Sequence, residues 1–374
     1  MSLERKVIVY GGSGYTGKII AEALARRRVP FFFAGRDRAK LDKALGVVRE
    51  RLGTEAWRLD AEVVAAGADT HALLPHFRKC SVVINVAGPF MQVAWPVLEA
   101  ALQAGCHYLD TTGEQDWVRE IAERYGPQFA AKGLLMAPAT AFMWTAGALA
   151  AEVVLEDPEI DSLDILYQVD NALPSEASTK SFLRMVCNPT GQYYLEGGEY
   201  KSWQNDLAHE VFVPYRHERM RAHPWGGACE PVWLKGRVRN CKVRTVVGDH
   251  VIDGILQAIG AFNAQSSGLD QAGKEALTNA IGDQINTGEP PKDDVDVQRG
   301  VIVVYGQGRT KTCRYVMNLS AAYSWTGELC AESAQQIMAG QLRRPGFQSA
   351  ATAFDHRRLI RTFNLLGYCS ALPN

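Results

Sequence analysis

The sequence predicts an α/β protein: a Rossmann-type doubly wound parallel sheet, followed by a second, mixed α/β domain. Short, continuously apolar runs alternate with helix-length segments through the first 150 residues, as expected of strands buried on both faces. A glycine-rich turn joins the first of these runs to the first helical segment. After about residue 152 the pattern changes to longer stretches in which apolar and polar residues take turns, the mark of half-buried strands.

Taken in order, residues 7–10 form the first strand and residues 18–28 the helical run after the turn. Residues 31–34 follow as the second strand, with a helix from about Arg38 to Leu52. Residues 57–59 read as a weaker third strand and residues 82–86 as a strong fourth, with a helix at 95–104. Strands at 107–109 and 134–136 complete the series around a helix at 115–132. In the second half, strands are expected at 162–169, 237–247, 301–305 and 313–319, the last two joined by a hairpin turn at 306–309. Helices are expected near 179–187, 252–264 and 271–285. Residues 286–296, with Gly288, Pro290, Pro291 and four acids, read as a surface loop. Helices at 328–342 and 350–366 close the chain. The expected division is a dinucleotide-binding domain at 1–150, a mixed α/β substrate and dimerisation domain at 151–327, and helices at 328–374 packing back on the first domain.

Composition narrows the function. With 47% apolar residues in 374, the chain can bury a core that offsets the entropy of ordering, which excludes a mainly disordered protein. A net charge of −1 provides no global field to recruit nucleic acid or an anionic membrane. Eight cysteines without a C-x-x-C pair suit thiols in a reducing cytosol, and the chain start lacks the apolar core of a secretion signal, so a cytoplasmic protein is expected. The uncharged stretch 133–151 is broken by Gly133, Pro138 and Gly147 and reads as a buried strand and helix; membrane association is not favoured. His71 and His76 are not on one helical face, so no metal site is expected. His209, His217 and His223, with Tyr215, Arg216, Arg219, Arg221 and Trp225, read as a solvated loop.

Gly11-Gly12-Ser13-Gly14-Tyr15-Thr16-Gly17 contains G-x-G-x-x-G at Gly12, Gly14 and Gly17, between a strand and a helix. In that setting Gly12 serves the tight turn, Gly14 lets the backbone approach a pyrophosphate, and Gly17 brings helix and strand together. Ser13 and Thr16 add hydroxyl donors, and helix-start amides face the anion. Where a reader of a free ribose would place an acid, the second strand ends in Ala34-Gly35-Arg36, with Lys40 close behind. A guanidinium suits a 2′-phosphate, so the expected cofactor is NADP(H); Asp37 is the alternative ribose contact. Asp60 reads either as an acceptor for the adenine amino group or as an ordinary loop acid.

Ala87-Gly88-Pro89-Phe90 ends the fourth strand on the ligand-binding edge, where Phe90 is placed to shield the nicotinamide. Tyr108, Asp110 and Glu114 end the fifth strand on the same edge and are the nominated proton donors; helix capping is the alternative for the two acids. Together, the glycine turn, Ala34-Gly35-Arg36-Asp37-Arg38-Ala39-Lys40-Leu41, Val86-Ala87-Gly88-Pro89-Phe90 and Cys106-His107-Tyr108-Leu109-Asp110-Thr111-Thr112-Gly113-Glu114 resemble the saccharopine dehydrogenase-like oxidoreductases. That group includes saccharopine reductases and trans-acting enoyl reductases. The resemblance implies an NADP(H)-binding domain and a substrate domain in the second half. Where the family carries acids after the sixth strand, this chain has Met143 and Ala148. The change points to a more apolar substrate facing Phe142, Met143 and Trp144, with plain core packing as the alternative. The expected function is an NADPH-dependent reductase of a small hydrophobic metabolite, acting on an enoyl C=C or a carbonyl, in a homodimer. An opine-type imine reductase and a non-catalytic NADP(H) sensor are the alternatives.

Overall fold

A computed structural model describes residues 6–188, 191–214, 216, 218–285 and 288–371. Tyr215 and His217 of the histidine cluster, and Asn286 of the acidic loop, lie outside the described residues. The chain folds as two compact units. The first takes the residues up to Thr112, then Glu120–Thr145 and Tyr323–Asp355; the second takes Gly113–Arg119, Ala146–Ala322 and the residues from His356 onward. The closing segment that the sequence treats as one piece is therefore divided between them.

The first unit is built on a seven-stranded parallel sheet. Its strands are β1 (Val7–Tyr10), β2 (Phe31–Gly35), β3 (Ala61–Ala65), β4 (Val82–Asn85), β5 (His107–Asp110) and β6 (Leu135–Ala137). The order is β6-β5-β4-β1-β2-β3, with the short strand Gly346–Phe347 beside β6. Every residue of β1, β2 and β4 is buried, as their unbroken apolar sequence requires. Helix α1 (Tyr15–Arg26) packs closely against the helix Ala322–Met338. A Cβ on Gly327 would stand 2.7 Å from the Ile19 side chain, and the rings of Tyr15 and Tyr323 meet edge-on at 4.8 Å. Arg27 ties the same pair of helices together through Glu328, at 3.0 Å, and Glu332.

Three expectations are corrected here. The third strand is not 57–59 but Ala61–Ala65; residues Gly53–Arg58 form a 3₁₀ turn. Trp57 is 67% exposed and lies between the guanidinium groups of Arg28 and Arg58, so its apolar ring is met by cations rather than by a sheet. The helix expected at 328–342 starts at Ala322 and ends at Met338. The one expected at 350–366 is two helices, Ala350–Ala353 and His356–Leu365.

The second unit carries a nine-stranded mixed sheet. Its strands are β7 (Ile160–Asp170), β8 (Tyr193–Glu196), β9 (Glu199–Ser202), β10 (His209–Phe212), β11 (Arg219–His223), β12 (Asn240–Val246), β13 (Arg299–Gly308) and β14 (Thr312–Leu319), with Cys369–Ala371 on β14. β7 and β12 run parallel, whereas β13 pairs antiparallel with both β7 and β14. Leu166, Val246, Val303 and Val316 form a core on one face. The cluster read from sequence as a solvated loop instead holds β10 and β11, with His223 buried; β8 and β9, where no element was expected, turn through Gly197 and Gly198, both at positive φ. Burial pushes the thiols of Cys106 and Cys187 up to about 12, so they are packing groups rather than nucleophiles. Among the described residues no helix is long and apolar enough to cross a membrane.

On the other face of β7, the Tyr167 hydroxyl accepts the Gly147 N–H at 2.7 Å and donates to Glu230 Oε1 at 2.7 Å. Glu230 is fully buried, and its Oε2 has no hydrogen-bond partner. Burial pushes its carboxyl up to about 8. The native state thus keeps a proton that the unfolded chain loses above its ordinary value of 4.5. The stability this site contributes is full below that value and falls as pH rises toward 8, by about 1.4 kcal/mol per unit at most. Glu230→Gln, neutral at every pH, is expected to flatten the decline in urea midpoint between pH 5 and 8. An equal decline in both proteins would show that the carboxyl ionises freely.

Candidate functional site

The glycine turn sits at the carboxyl end of β1. The amides of Gly11 and Gly12 both donate to Ala34 O, at 2.9 and 3.0 Å, which fixes the turn to the end of β2. The left-handed residue is Gly11 (φ +87°), not Gly12; Gly12 is kept small by the Phe33 ring, 2.6 Å from where its Cβ would stand. Gly17 brings α1 onto the turn, since a Cβ there would lie 2.4 Å from Gly12 O. Gly14 differs: its side is exposed, and the nearest atom to a Cβ is Gly11 O at 3.4 Å. The N-cap of helix α1 is Gly14, which brings no side chain to the helix terminus, the end that attracts an anion. Ser13 and Thr16 are half-buried, whereas the Tyr15 ring is buried against Tyr323 and only its backbone is offered.

Past β2, Arg36 and Lys40 are exposed. Arg36 directly follows β2, whose Ala34 carbonyl holds the turn. Asp37 is used otherwise: its carboxylate accepts the Lys40 N–H at 3.1 Å and caps the next helix. Arg38 pairs with Asp42 at 2.9 Å. Asp60 is corrected as a cofactor residue. It precedes β3 rather than following it, and its carbonyl accepts the Phe31 N–H at 3.1 Å, so it stands at the amino end of the strands.

The neighbouring edge is joined by a buried chain of hydrogen bonds. Asn85 and Asp110, the last residues of β4 and β5, are opposite each other in register. Asn85 Oδ1 accepts the Ala87 N–H and Asn85 Nδ2 donates to the Tyr108 hydroxyl, both at 3.1 Å. Burial above all, and the Asp110 charge after it, hold the Tyr108 phenol well above the ordinary range. Asp110 Oδ1 accepts the amides of Thr112, at 3.1 Å, and Ala139, at 2.9 Å. Asn85, Tyr108 and Asp110 are all 0% exposed. Ala87, Gly88 and Pro89 are half-buried, and Phe90 is buried. Asn85 was not singled out from sequence, although a polar residue closing Val82-Val83-Ile84 was a signal for it.

The other nominated residues go elsewhere. Glu114 lies in the second unit, where it accepts from Ser181 Oγ at 2.7 Å and Arg184 at 3.1 Å. Arg184 also clasps Asp116 at 2.7 Å and reaches Glu275 at 3.6 Å. Phe142 and Trp144 are buried in the first unit; the Phe142 ring meets Trp325 edge-on at 5.9 Å and its N–H donates to Thr326 Oγ1. Of the three apolar candidates, Met143 keeps partial exposure.

Comparison with known proteins fits this geometry. Residues 145–371, more than half of the chain, match the model described as "Family of unknown function (DUF5938)", and the protein belongs to that family. Residues 7–136 match the saccharopine dehydrogenase NADP binding domain, so the dinucleotide of the first unit is NADP(H). A lipid droplet localized protein of Caenorhabditis elegans is 26% identical over 200 residues, 52% of this chain and 43% of its own. A trans-acting enoyl reductase of Mycobacterium ulcerans is 30% identical over 142 residues, 37% of this chain and 32% of its own. The matched region is thus less than half the length of either relative. Apo saccharopine dehydrogenase (L-Glu forming) from Saccharomyces cerevisiae shares the fold, with a TM-score of 0.61 at 11% identity over 99% of this chain and 100% of the other.

Glu114 and Arg184 are 0% and 4% exposed, so each depends on the other for compensation. Arg184→Ala leaves a buried carboxylate without its cation and is expected to cost about 3–5 kcal/mol in urea unfolding. Adding Glu114→Gln should recover part of that loss. Full stability of Arg184→Ala would show that the pair is not compensating buried charge.

Proposed function

We propose that the protein is an NADPH-dependent oxidoreductase that reduces a small hydrophobic metabolite at an enoyl C=C bond or a carbonyl. The observation that carries this reading is the open face at Gly14, the N-cap that starts helix α1, in a domain of the NADP-binding type. Gly12, Ser13, Gly14, Thr16, Gly17 and the backbone of Tyr15 would hold the diphosphate. Arg36 and Lys40 would grip the 2′-phosphate, while Asp37 is already engaged as a cap. Ala87, Gly88, Pro89 and Phe90 would lie against the nicotinamide.

The cofactor supplies the hydride, and the protein supplies orientation and dryness. Tyr108 and Asp110 act within this edge by holding its loops, because the buried Tyr108 hydroxyl accepts from Asn85 and the Asp110 oxygen is engaged by main-chain amides. Glu114, paired with Arg184, holds charge balance rather than a transferable proton. Water is then the source of the proton. An apolar substrate is supported by Met143 and Ala148 in place of acids, by the enoyl reductase relative and by the lipid-droplet location of the worm protein. We place the protein in the cytoplasm, as a homodimer by the general frequency of that state.

Two variants test the assignment. Arg36→Ala should weaken NADPH by about tenfold to a hundredfold, as loss of a charge-assisted contact does, and leave NADH within about twofold. Gly14→Val should abolish binding of both in a folded protein. Titration by nucleotide fluorescence reads each result, and NADPH oxidation over enals, ketones and imines reads the substrate class. Equal losses of NADPH and NADH in Arg36→Ala would remove the phosphate-reading role.

A further inference from the structure

We propose that strand β10 is the surface through which two copies of the chain associate, its outer edge pairing antiparallel with the same edge of a second copy about a twofold axis at Val211. The inference rests on the homodimer of the proposed reading and gives it a surface. β10 ends the nine-stranded sheet: it pairs with β11 on one side, and among the described residues no strand lies along the other. The outer strand of a sheet presents main-chain donors and acceptors to any second strand, and chains that stay apart blunt it with lysine, proline or a bulge. His209-Glu210-Val211-Phe212 has neither lysine nor proline. Its register with β11 runs unbroken from His209 opposite Ala222 to Phe212 opposite Arg219. The edge also carries an exposed apolar group, since Phe212 is 68% exposed.

The side chains of the edge point to a second copy as the occupant. Val211 and Met220, opposite each other, are partly buried and pack on the core around Val213, Ala222 and Val246. That core thus runs out to the edge of the sheet and ends there in a half-covered pair. A twofold axis joining like edges makes the two strands antiparallel and keeps every side chain on its own face. Opposed residues then share a face, so the axis passes through a residue and not between two. Within the four residues of β10 it can stand at Glu210 or at Val211. At Glu210 it would oppose two carboxylates, which is unfavourable. At Val211 the valine meets its own counterpart, and Met220, Val211 and their counterparts form one apolar row that joins the two cores. On the other face Phe212 meets the counterpart of Glu210, a carboxylate already held 2.7 Å from the Arg219 of its own chain, and no like charges are opposed. A foreign peptide would gain the main-chain bonds alone, whereas a second copy also brings the matching valine and this charge pattern.

Sedimentation velocity over a concentration series would compare wild type, Phe212→Glu and Leu365→Glu. Leu365 is also exposed, but it precedes the strand at the opposite end of the sheet order, so it serves as the control for a charge placed on any apolar surface. Phe212→Glu sets a carboxylate beside the counterpart of Glu210 twice in each dimer and is expected to raise the dimer dissociation constant by at least about tenfold. Leu365→Glu is expected to leave it within about twofold. Val211→Cys, oxidised with copper phenanthroline, is expected to give a disulfide-linked dimer on a non-reducing gel, because opposed residues of antiparallel strands bring their Cβ atoms to about 4.5–5.5 Å. Phe212→Cys, set diagonally from its counterpart, is expected to give no more than wild type. The cross-link carries the test should Phe212→Glu fail to fold. A dimer that Phe212→Glu leaves intact would overturn this surface alone, as would cross-linking through Phe212→Cys but not through Val211→Cys. A wild type that stays monomeric across the series would bring down the homodimer reading, and this inference with it.

Discussion

A carboxylate removed from water has to be satisfied by donors of its own chain, and Asp110 meets that requirement with amides from two loops. The carboxyl edge of the first sheet follows from this. Thr112 comes just after β5, but Ala139 comes 29 residues after Asp110, beyond a helix and β6. One side chain thus brings two distant connections into a single arrangement. Asn85 extends the arrangement to a third, across the strand pair in which it faces Asp110. Ala139 adopts φ +51°, a left-handed conformation that a β-carbon disfavours, and the Asp110 bond to its N–H helps hold it there. The phosphate side of the same edge depends on small residues. There the missing side chains of Gly11, Gly12 and Gly17 permit contacts of 2.4 to 2.8 Å from the virtual Cβ positions, and the buried Lys18 donates to Ser13 O at 3.4 Å.

The second unit shows two answers to the same problem of a carboxyl without solvent. Glu114 keeps its charge and takes a cation, Arg184, along with the Ser181 hydroxyl. Glu230 has no cation to meet; the Tyr167 hydroxyl bonds one oxygen and burial pushes the group toward neutrality. The two answers differ in consequence. An ion pair of this kind adds little net stability over an apolar pair of similar shape, yet it specifies which segments meet. Here it specifies residues Gly113–Arg119: Glu114 and Asp116 reach Arg184, and Gln115 between them bonds the backbone of Tyr193 through both its amide atoms. Three consecutive polar side chains thus have partners at least 67 residues away in sequence.

What could be read from sequence follows the range of the forces involved. β1, β2 and β4 were legible because burial on both faces leaves no room for a polar residue until the strand ends. The glycine turn was legible because backbone contact dictates residue type locally, although the left-handed Gly11 and the Phe33 ring against Gly12 were not. β3 was missed because it is an edge strand in which only Val64 is buried, while the Trp57 ring that imitated a strand is exposed, with two arginines against it. The β8–β9 hairpin was missed although Gly197-Gly198 marked its turn, because its outward residues are charged and its strands span four residues each. The roles of Tyr108, Asp110 and Glu114 could not be read at all, because each is defined by partners far along the chain.

That last point bears on how a reductase on this fold would handle protons. A residue that gives up a proton has to hold one, and must reach the place where it is needed. Tyr108 holds one, but burial raises its pKa well above the ordinary range. Asp110 accepts from amides because it is an acceptor, and protonating it would weaken the bonds that align two loops. Glu114 lies in the second unit, where it accepts from the Arg184 guanidinium and the Ser181 hydroxyl. Tyr108 and Asp110 are thus committed to shape. Under the proposed reading the edge works as a rigid, dry wall against the nicotinamide, and the choice of substrate falls to the residues that face it rather than to an acid built into the strand ends.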